Sequence, residues 1–137
     1  MMTRIDARDR LIVALDVPSA AEADALVARM GDQVRFVKVG LELYTVAGPD
    51  IVRKLVDRGK RVFLDLKFLD IEETVRRATA RVAAMGATFL TVHANRKALI
   101  AAVQGRGSSD LKLLAVTVLT NFDGEDLREM GIQRSVQ

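Results

Sequence analysis

The sequence predicts an α/β fold built from about five parallel βα units. Three observations carry that expectation. Apolar runs of strand length alternate with amphipathic segments five times, roughly 25 residues apart, which leaves room for crossover helices. Half of the 137 residues are hydrophobic and only 4% are aromatic, the excess lying in Ala, Val and Leu. Such a composition suits helices packed on a buried parallel sheet. No low-complexity linker or sequence repeat divides the chain. Two architectures accommodate five units. One is an open doubly wound sheet, which the chain length favours. The other is part of a (β/α)₈ barrel, a fold that normally takes eight units and about 250 residues.

The elements follow in order. Leu11-Ile-Val-Ala-Leu15 is a continuous apolar run ending in Asp16 and reads as the first strand. Ser19 and Glu22 form a capping-box pattern, starting a helix that runs to about Met30 and stops at Gly31. Arg35–Val39 is the second strand, closed by Gly40. Pro49 and Asp50 open a helix whose apolar positions Ile51, Val52, Leu55 and Val56 share one stripe, ended by Gly59. Arg61–Lys67 is the third strand, and a helix from about Glu72 to Met85 follows it. Thr88–His93 is the fourth strand, with a short helix over Leu99–Val103 behind it. Leu111–Leu119 is the fifth strand, and Gly124–Met130 begins a further helix. Residues 1–10 are expected to be an N-terminal extension, 11–130 the β/α unit and 131–137 a tail without clear structure.

Composition narrows the chemistry. The chain has no cysteine and a single histidine, His93, which excludes a disulfide framework, a thiolate metal site and a multi-histidine cluster. Neither metal nor coenzyme is expected, and there is no nucleotide-binding Gly-rich loop. Gly105-Arg-Gly107 reads as a plain turn rather than a phosphate cradle. The net charge of +3 comes from interspersed residues, not a basic stripe with aromatics, so no nucleic-acid partner is expected. No apolar run approaches the roughly 18 residues that span a bilayer. Residues 1–10 lack the apolar core of a signal peptide. A soluble cytoplasmic protein without a membrane partner is the expectation.

Charged residues gather where strands end, which is where parallel β/α folds place their functional groups. Asp16 ends the first strand, Lys38 nearly ends the second, Asp65 and Lys67 end the third, and His93 ends the fourth. The period of two along a strand puts Asp65 and Lys67 on the same face. Several charges at neighbouring strand ends are costly unless they pair or bind something. For His93, a hydrogen-bonded strand-end residue is preferred over a general acid.

Five segments together carry a resemblance. Leu15-Asp-Val17, Val37-Lys-Val-Gly40, Asp65-Leu-Lys-Phe-Leu-Asp-Ile71 with Thr74-Val75, Thr91-Val-His-Ala94 and Leu114-Ala-Val-Thr-Val-Leu-Thr120 resemble the orotidine 5′-phosphate decarboxylase family in order and spacing. The resemblance implies a TIM barrel, usually a homodimer, that converts orotidine monophosphate to uridine monophosphate in pyrimidine biosynthesis. It tips the architecture from open sheet to partial barrel, possibly completed by self-association. It also implies roles. Lys38, Asp65, Lys67 and Asp70 would form the catalytic set, with Lys67 protonating C6 of the pyrimidine and Asp65 beside the departing carboxylate. Asp70 would reach into a partner's site. Asp16 and Lys38 would contact the ribose hydroxyls, Thr120 the pyrimidine, and Thr74 would join the substrate-binding set.

The chain departs from the family pattern at several points. Asp70-Ile-Glu-Glu-Thr74 stands where an Asp-Ile-Pro-Asn-Thr run is familiar, and Asn95-Arg-Lys97 where a glycine-containing loop is expected. Glu72 and Glu73 would repel an anionic substrate. The late loops that hold the phosphate in such barrels lie beyond five units. The expectation is therefore a truncated or engineered half-barrel with little activity. The alternatives are a self-assembling scaffold without catalysis, or a nucleotide-binding module without turnover.

Overall fold

The computed structural model describes residues 5–135. The chain runs through β1 (Ile12–Ala14), α1 (Ala20–Met30), β2 (Phe36–Gly40), α2 (Leu41–Ala47), α3 (Asp50–Asp57) and β3 (Arg61–Phe68). It continues through α4 (Glu72–Ala84), β4 (Phe89–His93), α5 (Arg96–Arg106), β5 (Lys112–Val116) and α6 (Gly124–Glu129). Short 3₁₀ turns lie at Ala7–Asp9 and Gly31–Gln33. Residues 1–4 of the expected extension and 136–137 of the expected tail fall outside the described residues. The first turn is tied to the sheet by Asp9, whose carboxylate is 3.8 Å from the Arg61 guanidinium.

All five strands are parallel and their spatial order is β1-β2-β3-β4-β5. That order decides between the two architectures. A doubly wound sheet reverses direction partway and receives helices on both faces. A sheet that grows in one direction by right-handed crossovers receives its helices on one face only, as a barrel does. The chain is thus a five-unit segment of a TIM-barrel-like fold. Its sheet is open among the described residues, with β1 and β5 as edges.

Alternation along each strand sorts residues between the two faces. Toward the helices point Leu15, Val37, Val39, Val62, Leu64, Leu90 and Val92, all buried and packed in one core with Val27, Leu43, Leu55, Val75 and Val82. The opposite face carries Phe36, Phe63 and Phe89 near the strand starts, with ring centroids 5.2 Å apart for Phe36–Phe89 and 5.9 Å for Phe63–Phe89. Arg61 lies 4.5 Å above the Phe36 ring, a cation–π contact that closes this aromatic layer. Farther along the strands the same face becomes polar. On the edge strands it leaves Ile12 and Leu114 each 37% exposed.

Four elements differ from expectation. β1 occupies only the middle of the first apolar run, and β5 stops at Val116 instead of continuing to Leu119. α2 was not anticipated, because Leu41–Ala47 follows Gly40 directly with no side-chain cap to announce it. Tertiary burial of Leu43, 1% exposed, supplies what local sequence does not. α5 is more than twice as long as Leu99–Val103 suggested, since the Asn95 side-chain oxygen accepts hydrogen bonds from the Lys97 and Ala98 N–H groups and the helix extends through Arg106.

Extension of α5 also overturns the plain-turn reading of Gly105. It lies inside the helix, where a Cβ would fall 2.2 Å from the Arg76 carbonyl oxygen and 3.0 Å from Thr79 Cβ. The glycine is there because the backbone of α4 passes over it. Beside that crossing, Thr79 is fully buried and its hydroxyl has no partner among the described residues.

Gly105→Ala should therefore lower stability by about 1–3 kcal/mol, the usual cost of overpacking, read as a shift in urea midpoint at constant slope. Thr79→Val should be neutral or stabilising in the same measurement, because no hydrogen bond is lost and an unmet polar group is removed.

Candidate active site

The polar end of the inner sheet face is assembled by register. Gly40 pairs with Asp65, so β2 and β3 bring the ends of their inner-facing rows side by side. Lys38 Nζ lies 3.4 Å from Asp16 Oδ1 and 3.6 Å from Asp65 Oδ2. Lys67 Nζ lies 2.9 Å from Asp65 Oδ1. Four charges thus alternate in sign, Asp16–Lys38–Asp65–Lys67, across three neighbouring strand ends. A Cβ at Gly40 would lie 3.5 Å from both the Asp16 carboxylate and the Lys38 ammonium, an ordinary contact, so the cluster does not depend on a glycine there.

Asp65 is the centre of the chain and its most enclosed member, with a side chain 15% exposed against 23% for Lys38 and 31% for Lys67. Burial by itself pushes the Asp65 carboxyl up. Hydrogen bonds from Lys67 and Thr91, with the charges of Lys67 and Lys38, outweigh burial and hold it below the ordinary carboxylate value. Asp65 is therefore a carboxylate at neutral pH.

β3 does not run straight to its end. From Leu64 to Phe68 it advances four residues while β4 advances only from Leu90 to Val92, a bulge in the ladder. Within it Lys67 adopts a φ of +49°, and it is the one non-glycine residue with positive φ among those described. Asp65 and Lys67 do meet, but through this bulge rather than through simple alternation.

The Lys67, Asp65 and Thr91 side chains open onto a cavity of about 530 Å³, walled on its apolar side by Phe63, Val116 and Leu119. Thr120 and Asn121 form its rim. Asp70 and Thr74 lie elsewhere. They line a separate cavity of about 280 Å³ that touches Lys67 from its other side. Asp70 accepts a hydrogen bond from the Ile71 N–H at 2.7 Å and forms no ion pair with Lys67. Of the expected site residues, the structure therefore groups Asp16, Lys38, Asp65 and Lys67, sets Thr120 across the same cavity, and leaves Asp70 and Thr74 outside it.

His93 ends β4 half-exposed, and its ring makes no hydrogen bond among the described residues, contrary to the expectation of a satisfied histidine. The expected repulsion from the start of α4 is also muted. Glu73 is paired with Arg76 and Arg77, which push its carboxyl down to about 2, and Glu72 lies 3.3 Å from Lys97. Sequence reasoning missed Thr91 as a site residue. Its signal was present, for it shares the parity of Phe89 and His93 and so faces inward beside Asp65.

A sequence model described as the Orotidine 5′-phosphate decarboxylase / HUMPS family matches residues 9–137. The chain belongs to this family. A curated relative from Nitrobacter winogradskyi, named orotidine 5′-phosphate decarboxylase, is 53% identical over 131 residues, which cover 96% of this chain and 55% of the relative. One of the same name from Rhodopseudomonas palustris is 48% identical over 137 residues, covering 100% of this chain and 58% of its own length. The chain thus spans a little over half the length of these curated relatives.

Solved structures agree. The orotidine 5′-phosphate decarboxylase of Lactobacillus acidophilus superposes with a TM-score of 0.83 at 39% identity, over 91% of this chain and 60% of that one. An uncharacterized conserved protein from Geobacillus kaustophilus gives 0.84 at 40% identity, over 91% and 62%. Among the described residues no helix is long and apolar enough to cross a membrane.

The charge chain has a pH signature. Because the folded-state value of Asp65 lies below its reference of 3.8, its contribution to stability is present above that reference and fades as pH falls through the folded value. The stability gap between the unmutated chain and Asp65→Asn should be constant from about pH 5 to 7 and shrink below pH 3.8, measured by urea unfolding across that range.

Proposed function

We propose that this chain carries the charged part of a site that decarboxylates orotidine monophosphate to uridine monophosphate. The alternating chain Asp16–Lys38–Asp65–Lys67, ending in an ammonium at the wall of a cavity, is the observation that supports it. In this reaction the bond between C6 and its carboxylate breaks, carbon dioxide leaves, and the electron pair stays on C6. An ammonium already fixed beside that carbon stabilises the developing charge and then donates a proton to it. Lys67 fills that role, held by Asp65 at 2.9 Å. Asp65 faces the departing carboxylate, Asp16 and Lys38 take the ribose hydroxyls, and Thr120 takes the pyrimidine edge. Asp70, which forms no ion pair with Lys67 in its own chain, serves a partner's site, and Thr74, beside it in the smaller cavity, joins the substrate-binding set.

The substrate phosphate is held by parts of the barrel that these five strands do not include, since barrels place such sites after strands seven and eight. Binding energy from remote groups drives the chemical step as well as affinity. Taken by itself, this chain is therefore a weak catalyst. The open edges of β1 and β5 and the exposed Ile12 and Leu114 favour a homodimer or completion by further strands. A cytoplasmic setting suits a chain without cysteine acting on a free nucleotide.

With orotidine monophosphate added, slow loss of its ultraviolet absorbance is expected, and Lys67→Ala should reduce that rate by at least about 10²-fold. An unchanged rate in the variant would contradict the reading. Thermal stabilisation by uridine monophosphate without any turnover would favour a binding module instead. A defined oligomer with neither effect would favour a scaffold.

A further inference from the structure

We infer that Thr91 is a positioning residue for the proposed proton donor: its hydroxyl pins the bulge of β3 that presents Lys67 to the cavity, and sets which Asp65 oxygen the ammonium meets. The consequence for catalysis rests on the decarboxylase reading. The geometry does not.

A lysine at φ +49° sits in the left-handed region, which is disfavoured for any residue with a Cβ, so something must hold it there. The ladder cannot do so, because β3 and β4 fall out of register between Leu64 and Phe68. Backbone amides in such a bulge lose their regular acceptor. The Lys67 N–H instead donates to Thr91 Oγ1 at 2.9 Å. The same hydroxyl donates to Asp65 Oδ1 at 2.8 Å. A hydroxyl has one proton and two lone pairs, so accepting from one group and donating to the other is within its capacity. Thr91 is 5% exposed, so little of its surface meets water.

The two bonds act on both halves of the ion pair. One fixes the backbone from which the Lys67 side chain springs. The other holds Asp65 Oδ1 toward Lys67 Nζ, at 2.9 Å, leaving Oδ2 for Lys38. Without the hydroxyl the carboxylate is free to rotate and the bulge is free to relax toward negative φ. Thr79 provides the contrast. It too is buried, but its hydroxyl has no hydrogen-bond partner among the described residues, so burial of a threonine does not by itself imply such a role.

The test compares Thr91→Val, which keeps the shape and removes both hydrogen bonds, with Thr91→Ser, which keeps the hydroxyl. Two NMR readouts are taken on the full chain: exchange of the Lys67 amide, and the titration midpoint of the Asp65 carboxyl carbon. In Thr91→Val the Lys67 amide should exchange about tenfold faster or more relative to Leu64 in the same strand, and the Asp65 midpoint should rise. Thr91→Ser should restore both. An unmoved Lys67 amide and Asp65 midpoint in Thr91→Val would overturn the proposal, as would a loss of protection spread evenly along β3. If that variant does not fold, the unmutated chain decides. A Thr91 hydroxyl proton protected from exchange and close to the Lys67 amide supports the proposal, and one exchanging freely with water overturns it. None of these readouts depends on turnover, so a failed decarboxylation assay and a failed positioning role remain distinguishable.

Discussion

The site depends on one carboxylate. Asp65 stands between two ammonium groups and pairs with both, and Asp16 pairs in turn with one of them, Lys38. A half-buried anion without partners would protonate or destabilise the fold. Two lysines without the anion would repel one another across neighbouring strands. The alternating order solves both problems at once, and leaves Lys67 with an ammonium face turned to the cavity. The chemistry proposed for the site needs that arrangement: a cation fixed in place before charge develops, so that no reorganisation is required at the moment of reaction.

The sheet makes the arrangement possible by separating two tasks. Its helix-facing side is occupied by Val and Leu packed on five helices, and that side holds the fold together. Its inner side is divided along the strands, with an aromatic layer under Arg61 at the starts and the charge chain at the ends. Charges at strand ends are tolerated because the apolar face does not rely on them. The same division leaves the inner face and both sheet edges open among the described residues.

Much of this was legible in the sequence. Apolar runs bounded by Gly, Ser and Pro marked all five strands and most helices, because periodicity and capping are local properties. Asp16, Lys38, Asp65 and Lys67 were found from their positions at strand ends. What escaped was decided by contacts between distant segments. α2 has no capping side chain and is held by the burial of Leu43. Gly105 resembled a turn residue until α4 was seen passing 2.2 Å from where its Cβ would stand. Thr91 looked like one more strand residue.

The sequence by itself determined the β/α alternation, the family and the identity of the charged residues, since each is written in residue type and spacing. Tertiary structure alone decided three matters. It set the order of the strands, which makes the sheet a barrel segment rather than a doubly wound one. It put the break in the β3–β4 ladder that carries Lys67 into positive φ. It gave Asp65 its distant partners, Lys38 and Thr91. These depend on which backbone lies beside which, and residues 24 or more positions apart along the chain have no local signal to report it.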